Sequence, residues 1–144
     1  MDCSISYHTM MDPGPEVVDA VREGLQSHNR ATLLPYVKSR FAVFIRNDDN
    51  DIVGGLIGDL VWDWLHITIL WVAEQIRGEG VGSELVRKAE EMALSEGITQ
   101  AHVETTSFQA LPFYQSVGYE VFAELEGKPS GHTFYYLKKT LQED

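Results

Sequence analysis

The chain has 144 residues, 44% of them apolar and 23% charged, with one cysteine and a formal net charge of -11 at pH 7. That size and balance describe one globular domain spanning residues 1–144, long enough to bury a real core. Cys3, the lone cysteine, excludes an internal disulfide and a cysteine-built zinc centre, and the acidity argues against a nucleic-acid partner, which needs clustered Lys and Arg. No apolar run reaches the length of a bilayer-spanning helix, and the N-terminus carries no basic stretch followed by an apolar one. The expectation is therefore a cytoplasmic protein with neither a membrane nor a nucleic-acid partner.

In chain order, Cys3 to His8 alternates as a first strand would. Pro13-Gly14-Pro15 breaks the chain, and Val17, Val18, Val21 and Leu25 then carry helical spacing over Glu16 to Gln26. Ala31 to Ser39 reads as a short helix or a loop. Phe41 to Ile45 reads as a buried strand, Asn47 to Asp51 as a turn, and Ile52 to Val61 as the strand that pairs back in a hairpin. Gly54 and Gly55 mark a bulge or a close neighbour. Trp62-Asp63-Trp64 makes a corner before a strand over Leu65 to Val72. The main helix spans Val81 to Ser95, with Val81, Leu85, Ala89, Met92 and Ala93 as its apolar face and Gly97 as its stop. A strand over Gln100 to Thr106, a short helix over Ala110 to Val117, and an antiparallel pair (Tyr119 to Leu125, His132 to Lys139) complete the chain. Strands outnumber helices and come mainly as hairpins, which predicts an α+β fold with a mixed, mostly antiparallel sheet flanked by helices on both faces.

The segment from Leu70 to Leu85 carries the strongest signal. A strand ending Leu70-Trp71-Val72 runs into Arg77-Gly78-Glu79-Gly80-Val81-Gly82-Ser83 and then a helix. Glycines let the backbone approach a ligand and adopt positive φ. The first N–H groups of the helix lack intrahelical partners and sit at its positive end. Together they make a seat for phosphate, to which Arg77 adds a charged fork. No Lys follows Gly82, so the loop is not a P-loop, and the glycines run G-x-G-x-G rather than G-x-G-x-x-G. A second pattern lies at Ser107 to Tyr119, where Ala110, Tyr114, Gly118 and Tyr119 are spaced as Ala, Tyr and Gly-aromatic.

R-x-x-G-x-G directly after a strand ending L-x-V resembles the coenzyme A pyrophosphate loop of the GNAT superfamily of N-acetyltransferases, and the second pattern resembles a later motif of that family. The resemblance covers roughly Arg40 to Leu141. Ser107 stands where the family usually has Asn; its hydroxyl is shorter, and either takes the usual contact to the pantetheine arm or serves only as a cap. The resemblance implies acetyl-CoA as cosubstrate, held by Leu70, Val72, Arg77, Gly78, Gly80, Val81, Gly82, Ser83 and Ser107. It implies acetyl transfer to a primary amine, with the Val72 N–H as the first choice of donor to the acetyl oxygen.

Tyr114 is the candidate general acid, since a phenol is protonated at neutral pH. Glu104, on the strand before the second motif, is the first candidate base, through a pKa raised by burial. His66 is the next, with Asp63 and His132 behind it. Trp62, Trp64 and Tyr36 are candidates for lining the acceptor pocket, aromatic walls suiting cations; Trp71 reads better as an edge residue, and Phe108 and Phe113 as core or pocket wall. Asp49-x-Asp51-x-Val53-Gly54 fails as a calcium loop, and His102-x-Glu104 lacks the cysteines of a zinc deaminase, so no metal is expected. The acceptor is expected to be a small-molecule amine, with a peptide or protein amine second, and the tryptophan-rich corner would suit a homodimer. A non-catalytic acyl-CoA sensor and a nucleotide-phosphate binder are the readings from other classes.

Overall fold

The computed structural model describes residues 4–30 and 38–142. The chain divides into two units, residues 1–36 and 37–144, each taken by itself.

In the first unit α1 (Pro15–Arg30) is longer than the apolar spacing indicated. Pro15 opens it, where a missing N–H costs nothing, and Glu16 complements the positive end. The strand expected over Cys3 to His8 does not form across the described residues 4–8. Alternation alone does not make a strand: the segment pairs with no other among the described residues, so its backbone gains no ladder. Cys3, Tyr36 and most of the Ala31 to Ser39 segment lie outside the described residues.

The second unit is a six-stranded sheet in the order β1 (Lys38–Arg46), β2 (Ile52–Val61), β3 (Trp64–Val72), β4 (Gln100–Thr106), β6 (Thr133–Thr140), β5 (Glu120–Glu126). All neighbours are antiparallel except β3 and β4. A parallel pair needs a crossover, which α2 (Val81–Ser95) supplies. α3 (Leu111–Ser116) follows β4. This is the α+β, mostly antiparallel arrangement that the sequence predicts. No helix is long and apolar enough to cross a membrane among the described residues.

Local chemistry explains most boundaries. The β1–β2 turn closes because the Asn47 side chain accepts the N–H groups of Asp49 (3.0 Å) and Asp51 (2.9 Å). α2 ends where Gly97 adopts φ 78°: its N–H reaches Leu94 O and that of Ile98 reaches Ala93 O, both at 2.9 Å. These are the two bonds of a glycine-ended helix.

α2 buries Leu85, Val86, Ala89 and Ala93 against Leu56, Leu65, Ile67, Val103 and Leu137. Met92, expected on that face, is 42% exposed; the stripe is rotated so that Val86 takes its place. β1 is not the buried strand expected: Phe41, Val43 and Ile45 are half-buried while Ala42 and Phe44 are exposed, as suits the end of a sheet. One irregularity lies beside the predicted position: Ile45 pairs with Gly54 and Arg46 with Ile52, so Val53 has no β1 partner; a second falls between Ile57 and Gly58. The close-neighbour alternative holds: a Cβ on either glycine would lie 3.3 Å from β1.

Candidate active site

β3 belongs to two ladders, and they end at different places. Its parallel pairing with β4 stops at Ile67 and Val103, whereas its pairing with β2 continues to Val72. β4 stays with β6 to Thr106. The two central strands therefore part beyond Ile67, leaving Thr68 to Val72 beside an opening.

The register shows which main-chain groups face that opening. Ala73 N–H bonds Val53 O at 2.8 Å. Antiparallel pairs alternate between bonded and non-bonded, so Trp71–Gly55 and Ile69–Ile57 are bonded, and Val72–Gly54 and Leu70–Leu56 are not. The N–H and C=O of Leu70 and Val72 thus point away from β2, into the opening. Arg77 Nε donates to the Val72 carbonyl at 2.9 Å.

At the mouth of the opening, Gly78 and Gly80 adopt φ of 85° and 75°, and a Cβ on either would meet nothing within 4 Å. Gly80 precedes α2 without a side-chain cap. The first helical bond is Glu84 N–H to Gly80 O, so the amides of Val81, Gly82 and Ser83 are left as outward donors. An anion seat with open space above it follows. A cavity of about 330 Å³ lies there, lined by Val72, Arg77, Gly78, Gly80, Val81, Gly82, Ser83 and Phe113.

That cavity shares Val72, Arg77, Gly82 and Phe113 with a larger one of about 800 Å³, whose walls include Thr68 to Val72, Glu104, Phe108, Gln109 and Tyr114. The two form one cleft from the N-terminus of α2, between the parted strands, to Tyr114 and Glu104. Tyr114 is 6% exposed, edge-on to Phe113 and Tyr119. Burial alone pushes its phenol up to about 12, and its hydroxyl has no hydrogen-bond partner among the described residues.

Glu104 is placed by pairing. His66 and His102 are opposite each other on β3 and β4, and Glu104 follows two residues later on the same face. His66 Nε2 lies 2.7 Å from Glu104 Oε2, and the two imidazoles stack at 4.3 Å with planes 5° apart. The raised Glu104 pKa expected from burial is overturned. The His66 hydrogen bond outweighs desolvation and holds the carboxyl below its ordinary value. His102 is lowered, by burial first and then by His66. The two histidines sit in a row of polar side chains running Arg40, Asp59, His66, His102, Lys138, Glu120 across all six strands, with Glu104 two residues along β4 from it.

The other candidates lie elsewhere. Trp62, half-exposed at φ 51°, and Trp64, edge-on to His102 at 5.6 Å, sit where β3 begins, at the opposite end from the cleft. Ser107 Oγ accepts the Thr133 N–H at 3.1 Å and lies 3.3 Å from His132 Nδ1, tying the loop to β6 rather than lining the cleft. Trp71, read from sequence as an edge residue, lines the cleft. His102, set aside in the sequence with Glu104 for want of the deaminase cysteines, lies against His66 and beside Glu104.

Residues 12–119 match the model of the acetyltransferase (GNAT) family. The chain is 41% identical over 102 residues to the blasticidin-S acetyltransferase of Streptomyces morookaense, covering 70% of this chain and 75% of that one. It is 34% identical over 124 residues to an acetyltransferase of Agrobacterium fabrum, covering 86% and 90%. An acetyltransferase crystal structure from Bacillus cereus superposes with a TM-score of 0.84 at 26% identity, covering 93% of this chain and 98% of that one.

Proposed function

Because the chain belongs to the GNAT acetyltransferase family, we propose that it moves the acetyl group of acetyl-CoA onto a primary amine of a small cationic molecule. The observation that carries this reading is the unbroken cleft from the uncapped end of α2 to Tyr114 and Glu104. The fit to the coenzyme rests on three features of the chain. Bare amides at Val81, Gly82 and Ser83 suit a diphosphate, Gly78 and Gly80 leave room above them, and the main-chain groups of Leu70 together with the Val72 N–H suit an amide-bearing arm.

Acetyl-CoA supplies an activated acyl group as a thioester. The remaining work falls to the protein. The Val72 N–H, turned into the cleft, donates to the acyl oxygen as negative charge develops there. Glu104, ionised beside His66, attracts the protonated acceptor, and the Glu104–His66 pair takes the proton that the amine must lose. Tyr114 stays protonated throughout the neutral range and supplies a proton to the departing sulfur.

A net charge of -11 and a carboxylate in the cleft favour a cationic acceptor. The likeness to blasticidin-S acetyltransferase makes blasticidin S the first compound to test. The experiment measures thiol release from acetyl-CoA and the mass of the acceptor, with blasticidin S, polyamines, free lysine and a peptide N-terminus in parallel. Acetylation of a small cationic amine is the expected result. Tight CoA binding with no acetylation of any amine would establish a sensor instead. Thermal protection by ATP or NAD but not by CoA would overturn the coenzyme assignment.

A further inference from the structure

The Glu104 cluster offers more than a proton acceptor. His66, His102 and Glu104 each present a ligand atom, and these atoms lie within 4.8 Å of one another. Two imidazole nitrogens and one carboxylate oxygen are a donor set that Zn²⁺ accepts with its fourth position open. Oxygen-seeking Ca²⁺ and Mg²⁺ have little use for it. We propose that His66, His102 and Glu104 form a zinc site, and that the metal inhibits the enzyme by occupying its proton acceptor. The binding stands on the cluster alone; the inhibition rests on the acetyltransferase reading.

The sequence builds this site through strand register. In-line pairing of β3 with β4 sets His66 beside His102, and the two-residue period of β4 brings Glu104 to the same face. All three are partly exposed, so an ion can reach them. Tetrahedral zinc at its usual bond lengths holds ligand atoms about 3.3 Å apart. The His66 Nε2–Glu104 Oε2 separation of 2.7 Å must open slightly, and the His102 Nδ1–Glu104 Oε1 separation of 3.9 Å must close. Both changes require the imidazoles to turn about χ2, a broad torsion, and their parallel stack (4.3 Å, 5°) to open so that the ring nitrogens converge. Lys138, next along the polar row, would oppose a cation, but its ammonium is turned to the Phe122 ring, 5.6 Å from the centroid. With Glu104 bound to metal, the cleft loses the carboxylate that meets the amine.

The test is calorimetric titration of the untagged, chelator-treated chain with Zn²⁺, alongside His102→Ala and, as a control on the exposed face of α1, His28→Ala. The expected result is one saturable site whose dissociation constant rises by about tenfold or more in His102→Ala and is unchanged in His28→Ala. Zn²⁺ should inhibit acetyl transfer by the parent protein, reversibly on adding chelator. His102→Ala should keep its turnover and become resistant. Co²⁺ substitution provides a readout independent of the variants' folding, since a tetrahedral nitrogen–oxygen site gives visible absorption. Absence of saturable uptake by the parent, or equal affinity in His102→Ala, overturns the site. Uptake that His102→Ala abolishes, without inhibition of the parent, overturns the inhibitory role and the assignment of Glu104 to proton transfer while leaving the metal site standing.

Discussion

Tyr114→Phe removes one oxygen and nothing else. The ring keeps its edge contacts to Phe113 (5.2 Å between centroids) and Tyr119 (6.0 Å). A hydroxyl with no partner at 6% exposure contributes no hydrogen bond to the fold. Among the described residues the buried side-chain atom without a partner is the Thr106 hydroxyl, so the Tyr114 hydroxyl keeps contact with solvent in the cleft and its removal should leave stability within about 0.5 kcal/mol. Activity should fall. A positioned general acid is worth about 10²–10⁴ in rate, equivalent to roughly 3–5 kcal/mol of barrier. The loss should appear in kcat, with KM for acetyl-CoA little changed, because the α2 amides and Arg77 are untouched. Steady-state thiol release and a thermal melt on the same preparation separate the two effects. A variant whose kcat stays within about threefold of the parent shows that no general acid was lost, and Tyr114 is then a core residue beside the cleft.

Gly80→Val and Gly97→Ala form a pair. Both positions have positive φ (75° and 78°) and open space, so each should lose about 1–2 kcal/mol of stability. Only Gly80→Val should also raise KM for acetyl-CoA, because its side chain enters the space above the anion seat; equal KM values would refute that placement. Gly58→Ala should cost about 1–3 kcal/mol in urea unfolding, since its Cβ would fall 2.8 Å from the Phe41 ring and 3.1 Å from Leu65, and Phe41→Leu should recover part of the loss. Stability should also fall at high pH. The Tyr114 phenol titrates near 10 when unfolded and at about 12 when folded. Its contribution is complete below pH 10 and is lost as pH rises through 12, about 3 kcal/mol in all. Urea midpoints between pH 9 and 12 measure the fall, which should be smaller in Tyr114→Phe.

Legibility in the sequence followed the range of the interaction. β2, α2 and β4 were read to the residue because their ends are local events: the Asn47 side chain closing a turn, Gly97 ending a helix. The anion seat was legible for the same reason, being built from contiguous glycines and one helix end. The expected strand over Cys3 to His8 had no such support; a strand depends on a partner that alternation does not name. Glu104 was visible as a carboxylate near the cleft, but the sign of its shift depended on His66, 38 residues away and brought close by β3–β4 pairing. Trp62 and Trp64 were aromatic and close in sequence to the phosphate loop. The length of one strand was enough to set them at the opposite end of β3 from the cleft.

The position of the cleft traces to one inserted residue. Up to Ile67 each β3 residue pairs so that its number and its β2 partner's sum to a constant, and from Ile69 onward that constant is one larger. Thr68 is the residue without a partner, and its hydroxyl instead donates to the Ile57 carbonyl at 3.0 Å. A bulge of this kind reverses the faces beyond it. Before it, Leu65 and Ile67 enter the core. After it, Leu70 and Val72 pack against the core while Ile69 and Trp71 are 57% and 48% exposed. The parallel ladder with β4 ends at the same point. The reversal therefore puts Trp71 on the cleft wall, and the extra twist that accompanies a bulge turns β3 away from β4. The spacing of three between Ile67 and Leu70, where a strand would keep two, is how this break is written in the sequence.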